Sequence, residues 1–472
     1  MSKLTQNKSM IALVLIAILS AMFFGLVSLI LVSTVGKHYG YLLALPSVIV
    51  IGLLFFFSRE FFLLLVILTR SSLDVVFESI KIGSFGLGGV LNALVILIAL
   101  IMYFETEKDK RAGFDNIKVA WVVFMLTCFL SLFYAPVFLT AFKTFLSYLS
   151  YAAMFFIGLY SIKKEDDYRK WVKVIALSTL IPLVYSLLSL AFGLHGVRDS
   201  MGEGLRLQGT FPHPNPFAPY LVLMISICFF IYKAEFFSVG TVIRRTLPLY
   251  ILVLIGLLVM TKTRSAWAAC FILFFAYGVL LEKRFLLFVF IAPLFALLIP
   301  DIQDRILAAT QNTDYGVTGY GKLNSYAWRL KIWHDSISWM NPSHYITGYG
   351  LAAFVHYSMD FGMANAFQKA TFEINAHNIF IQTFFNLGAL GLLCFTYLIY
   401  TPVKNLYKYY QRKKLYVVIA ILVVVQFLLQ GYSDNTWDYL IFEWYFWFFI
   451  GITLSYLKLV DKRKLIEENN ND

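Results

Sequence analysis

Long apolar runs alternate with short polar connections along the whole chain. A helix that crosses a bilayer needs ~20 apolar residues. Runs near that length fall around 11–33, 41–57, 61–70, 87–104, 117–135, 142–162, 173–193, 217–233, 246–260, 266–282, 285–299, 376–400, 416–431 and 440–457. The pattern predicts an all-α, polytopic integral membrane protein of about 12–14 transmembrane helices, with residues 1–472 as a single membrane domain. The first run, Ile11–Val32, exceeds a signal-peptide core and lacks a small-residue cleavage site after it, so it reads as a retained span. The segment near 61–70 is short and hemmed by Arg59 and Arg70.

Composition agrees with the pattern. Hydrophobic residues make up 60% of the chain and charged residues 14%, with mean hydropathy +0.74. The four cysteines, Cys128, Cys228, Cys270 and Cys394, all lie inside apolar runs. That placement predicts reduced core residues, not a disulfide framework or a metal site.

Charge sets the expected topology. With all of these spans counted and the N-terminus inside, most of the 39 Lys and Arg fall on inner connections such as 105–118, 163–173, 233–245, 404–414 and the tail after Lys458. Dropping the segment near 61–70 would break this alternation. Both termini are therefore expected in the cytoplasm, and the net charge of +12 is read as topological, with no nucleic-acid partner. Two outer connections are long: 194–216 and 300–374. The second is rich in Trp and Tyr, too apolar for a disordered tether. Within it, Trp333, Ile337 and Met340 at helical spacing, with Pro342 after them, predict a short helix over Ser325–Met340.

The outer side then carries the candidate chemistry. His377 precedes the apolar run near 376–400. A helix turns ~100° per residue, which places Gly388 and Gly391 roughly on the face below it and suggests close helix packing there. Imidazole readily exchanges a proton near neutral pH, so His377 is the candidate catalytic base. It is equally readable as a polar interface residue. Arg206, Arg264 and Arg329 are outer arginines that the positive-inside tendency disfavours. Guanidinium forks bind phosphate oxygens bidentately, which suits a diphosphate headgroup. Snorkelling suffices to explain Arg264, and a loop salt bridge or cation–π contact suffices for Arg206 or Arg329. Outer carboxylates, Asp434 and Asp438 among them, form no metal-ligand pattern, so no metal and no cofactor is expected. Acidic residues are nearly absent from the spans, which disfavours an ion-coupled carrier.

The string Ala376-His377-Asn378, then Ile379–Leu387, then Gly388-Ala389-Leu390-Gly391 resembles the histidine–glycine signature of the O-antigen ligase and O-antigen polymerase superfamily. Three further strings resemble that family's landmarks in the same order: Gly209–Asn215, Thr263-Arg264-Ser265, and Arg329 to Trp333 followed by Gly348-Tyr349-Gly350. The motif resemblance spans about residues 200–400 and implies a GT-C-like helical fold. It further implies metal-independent glycosyl transfer from an undecaprenyl-diphosphate-linked glycan at the outer face of the cytoplasmic membrane. By resemblance, Arg206, Arg264 and Arg329 hold the diphosphate, and His377 activates the acceptor or positions the diphosphate. Asn378, Gly388, Gly391, Asn215 and Trp333 support them. The implied partners are the lipid-linked donor, a glycan acceptor, the bilayer, and flippase and chain-length regulator proteins.

Two activities within the family compete. A polymerase joins repeat units of capsule, exopolysaccharide, teichuronic-type polymer or O-antigen, whereas a ligase passes finished glycan to lipid A core. Abundant Lys, Ile, Asn and Phe suit an AT-rich genome and tip the reading toward polymerase. The rival from another class is a flippase or transporter of lipid-linked glycans, which predicts polar residues along a central cavity through many spans.

Overall fold

The computed structural model describes residues 52, 54–56, 58–73, 81–82, 85–106, 113–193, 197–199, 205–234, 240–298, 300–308, 310–314, 320, 323–361 and 374–469. The predicted span Ile11–Val32 and most of the one near 41–57 lie outside these residues. The rest is overwhelmingly helical: α1 Arg59–Thr69, α2 Leu87–Glu105, α3 Asp115–Ser131, α4 Phe138–Ser161, α5 Glu165–Leu177, α6 Leu180–Phe192, α7 Pro214–Lys233, α8 Thr241–Met260, α9 Arg264–Leu280, α10 Leu286–Ala296, α11 Pro300–Leu307, α12 Ser325–Trp339, α13 Ala353–Tyr357, α14 Ile379–Tyr407, α15 Lys414–Ser433 and α16 Leu440–Asn469. Two short antiparallel hairpins complete it: β1 Lys81–Ile82 with β2 Phe85–Gly86, and β3 Val197–Asp199 with β4 Leu205–Leu207.

Among the described residues, nine helical segments are long and apolar enough to cross a membrane, with α5 and α6 together forming one of them. The protein is a multi-pass membrane protein. α9 is apolar but shorter, and α10 and α1 have 11 residues each. At 1.5 Å per residue α1 is about half the thickness of a hydrocarbon core. Its lower end meets the polar ends of other helices through Arg59–Glu105 (2.8 Å) and Lys170–Glu60. Just beyond its other end, Ser71 donates to the carbonyl of Ser178 at the α5–α6 junction and accepts, on its own carbonyl, Thr210 Oγ1. The loop after β4 therefore dips to meet it.

α7 and α16 form the buried centre, while α2, α8 and α10 present exposed Leu and Phe side chains suited to lipid. The close helix approach that the sequence places at Gly388 and Gly391 occurs elsewhere. α4 and α16 cross at Gly158 and Gly451, where a Cβ on either glycine would strike the other helix's backbone. Trp444 Nε1 bonds Ser150 Oγ across the same interface.

The helix predicted over Ser325–Met340 is present as α12. Asn324 caps it by accepting the amides of Tyr326 and Ala327, and the chain turns at Asn341-Pro342. α14 is likewise capped by Asn378, which accepts Phe380 and Ile381. It is then broken at Gly388 (φ 66°, ψ −167°). The loop segment Tyr345–Gly350 lies in the break. Tyr349 and Gly350 donate to the carbonyls of Phe385 and Asn386, and Ala389 and Leu390 donate to those of Tyr345 and Ile346. The long loop thus completes the hydrogen bonding of the helix it precedes. Gly388 is required because a side chain would fall into the Ile346 backbone at a φ that L-residues avoid.

Candidate functional site

The site is assembled at one end of the bundle from the start of α7, the α8–α9 turn, the start of α12, the residues before α14, and the α15–α16 turn. Its floor is that last turn, residues 434–439. Trp437 anchors it, stacking on Phe124 (5.5 Å, 14°) and Tyr151 (5.6 Å, 13°), and the Tyr151 hydroxyl donates to the Trp437 carbonyl.

The polar run before α14 is held at each residue. Asn375 Nδ2 donates to Asp438 Oδ2 at 2.9 Å. Ala376 gives its carbonyl to Trp333 Nε1 (2.7 Å) and its amide to Gln382 Oε1 (3.0 Å). The amide of His377 donates to Asn375 Oδ1 at 3.0 Å. Asn378 caps the helix. His377 itself has φ 46°, in the left-handed region.

From that position His377 Nδ1 meets Asp434 Oδ1 at 2.7 Å. The imidazole is 28% exposed while the Asp434 side chain is 10% exposed. A carboxylate only accepts, so Nδ1 carries the hydrogen, and Nε2 of the neutral ring is left as the acceptor. Asp434 is fully engaged: Oδ1 also accepts the Asn435 amide, and Oδ2 accepts Asn215 Nδ2 at 2.9 Å. Burial alone would raise its pKa. The His377 hydrogen bond together with its positive charge when the ring is protonated, the Arg329 guanidinium and the Tyr439 hydroxyl outweigh that and hold the carboxyl well below the usual carboxylate range.

Asn215 connects this pair to the first arginine. Its Oδ1 accepts Arg206 Nη2 at 2.9 Å, and the same guanidinium donates to the Thr261 carbonyl (2.9 Å) and Thr263 Oγ1 (3.1 Å). Arg206 is 6% exposed; it sits on β4 beneath the α8–α9 turn and ties that turn to the start of α7. Arg264, the first residue of α9, lies half-buried above and donates from Nη2 to Ser325 Oγ at 2.8 Å. Ser325 is also the contact of Arg329, whose Nη1 donates to its carbonyl at 3.1 Å. Arg329 Nε is buried with no hydrogen-bond partner among the described residues. A guanidinium donor left unspent near two other arginines, with the N-termini of α7 and α9 close by, makes an electropositive cluster suited to an anion.

Arg206, Arg264, Arg329 and His377, which sequence reasoning singled out, are therefore brought into one network, with Asn215 and Trp333 as direct links and Asn378 as the cap. Gly388 is itself the break in α14 and receives the inserted loop, whereas Gly391 lies just beyond it, where a Cβ would meet Leu387 of the same helix. The side chains of Arg198 and Arg305 lie outside the described residues. Sequence reasoning missed the role of Asp434, one of many outer carboxylates. The signal available was its place in the polar string Ser433-Asp434-Asn435 directly after an apolar run. The ring of Trp328 stands edge-on to His377 at 5.7 Å, and Tyr326 and Tyr432 are exposed nearby.

Residues 249–396, from α8 to the middle of α14, match the family model described as O-antigen ligase. The matched span holds Arg264, Arg329, His377, Gly388 and Gly391, while Arg206, Asn215 and Asp434 lie outside it. No curated protein matches the chain.

Proposed function

We propose that this chain, whose match supports membership of the O-antigen ligase and polymerase superfamily, is a membrane glycosyltransferase that polymerises surface polysaccharide repeat units from an undecaprenyl-diphosphate-linked donor. The observation that carries the reading is the His377–Asp434 pair beside the arginine cluster around Ser325, whose Arg329 guanidinium acts on Asp434. A base and an anion site side by side are what glycosyl transfer from a diphosphate needs.

In this reading the acceptor sugar hydroxyl gives its proton to His377 Nε2 as its oxygen attacks the anomeric carbon. The bond from that carbon to the diphosphate oxygen breaks. Asp434 keeps the ring in the required tautomer and balances the imidazolium that forms. Arg264 and Arg329 meet the charge that grows on the departing diphosphate, where stabilisation counts most in the transition state. Arg206 holds Asn215 and the α8–α9 turn in register and adds to the positive field. Trp328, Tyr326 and Tyr432 offer apolar faces to sugar rings. The site then faces the outside of the plasma membrane, both termini lie in the cytoplasm, and a flippase supplies the donor.

Purified protein in lipid nanodiscs, given undecaprenyl-diphosphate oligosaccharide and no energy source, is expected to produce a ladder of extended glycan. Transfer only when lipid A core is added would favour the ligase. Movement of the lipid between leaflets with no new glycosidic bond would sink both and favour a flippase.

A further inference from the structure

We propose that Asp438 is a positioning residue: through Asn375 it fixes the left-handed backbone of His377 from which the imidazole reaches Asp434. The inference rests on the reading of His377 as the proton acceptor in glycosyl transfer, and it adds a residue that neither the sequence pattern nor the family match assigns.

A histidine at φ 46° is in a conformation that non-glycine residues adopt only when their surroundings impose it. The imposing contact is the hydrogen bond from the His377 amide to Asn375 Oδ1. An asparagine amide can turn over, exchanging its oxygen for its NH2, and only its partners decide which way it faces. The partner on the other side of Asn375 is Asp438. Its Oδ2 takes Asn375 Nδ2 at 2.9 Å and Asn435 Nδ2 at 2.7 Å. A carboxylate has no hydrogen to give, so Asn375 must turn its NH2 toward Asp438 and its oxygen toward His377. The α15–α16 turn therefore grips His377 twice. Asp434 holds the ring, and Asp438 holds the backbone through one intervening amide. Asp434 is buried, whereas Asp438 stands at the rim and also holds the side chain of Asn435 within the same turn; thermal unfolding of each variant separates that structural share from its hold on the loop.

The test is steady-state kinetics on the purified full chain in nanodiscs with lipid-linked oligosaccharide, with thermal unfolding recorded for each variant. Asp438→Ala removes the acceptor, and Asn375→Asp sets two carboxylates against each other. Each is expected to lower kcat roughly ten-fold or more, as small misplacements of a catalytic group do, with KM for the donor within about two-fold of wild type. Asp438→Asn keeps an oxygen that can accept both amides and should retain most of kcat. The double variant Asn375→Asp with Asp438→Asn reverses donor and acceptor. It restores the pair, with a carboxylate oxygen still facing the His377 amide, and kcat should recover.

Two results overturn the inference. In one, Asp438→Asn and the double variant are as slow as Asp438→Ala, which would give the carboxylate a chemical role of its own. In the other, all four variants turn over like wild type. Failure of the underlying reading looks different: His377→Ala would itself transfer glycan at the wild-type rate.

Discussion

At the scale of residues, the decisive contact is between side chains 57 positions apart in sequence, His377 and Asp434. Asp434→Asn leaves the size unchanged but lets an NH2 face Nδ1, favouring the wrong tautomer. kcat should fall roughly 10²–10⁴-fold, as it does when the orienting acid of a His-centred site is neutralised. Retention of more than about a third of wild-type kcat would remove the base role. Arg329→Gln withdraws the unspent Nε donor and the charge. Charge-assisted hydrogen bonds contribute about 1.5–3 kcal/mol, so kcat/KM for the lipid-linked donor should drop roughly ten- to a hundred-fold, with the melting temperature little changed. His377, Arg264 and Arg329 were legible in the sequence because histidine and outer-facing arginine are scarce and chemically distinctive in an apolar chain. Asp434 was not, since nothing in a one-dimensional string separates a buried carboxylate such as Asp434 from an exposed one such as Asp438.

At the scale of elements, α14 shows what the glycine that follows His377 does for the helix. The apolar run and the helix itself were readable from period and composition, whereas Asn378 was marked only by the resemblance and its role as the cap comes from the structure. The break at Gly388 was not readable, because the hydrogen bonds that compensate it come from Tyr345–Gly350. The sequence marks Gly348-Tyr349-Gly350 within them as a landmark of the resemblance, but not the helix into which the segment is set. The insertion fixes the angle between the capped first turns, which carry His377, and the rest of the helix. Gly388→Ala should therefore destabilise the protein by about 2–4 kcal/mol, combining positive-φ strain with backbone overlap. It should also abolish transfer. Gly256→Ala, on α8 with nothing near its missing Cβ, should leave the melting temperature in detergent unchanged or slightly raised. Equal melting temperatures for the two variants would contradict the insertion.

At the scale of the whole molecule, charge and chemistry are segregated. The ion pairs Arg59–Glu105, Lys170–Glu60, Lys233–Glu282, Arg412–Asp461 and Arg463–Glu165 all join connections that the Lys and Arg distribution assigns to one side. The site lies at the opposite ends of α7, α14 and α15. The four native cysteines are buried, so introduced cysteines can report sidedness against a low background. In intact cells a membrane-impermeant maleimide should label Tyr326→Cys and Tyr432→Cys. Gln411→Cys should label only after permeabilisation. The reverse pattern would place the site in the cytoplasm and overturn the outer-face reading.

What the chain declares without its fold is local. The length of the apolar runs, the distribution of Lys and Arg, the helical spacing of Trp333, Ile337 and Met340, and the stop at Pro342 each depend on neighbours a few positions away. They were enough to predict a polytopic helical protein and to single out the arginines and His377. The partner of the histidine, the buried seat of Arg206, the Asn215 link and the loop set into α14 belong to the tertiary structure. Each joins segments tens to hundreds of residues apart, and such contacts exist only once packing has brought those segments together.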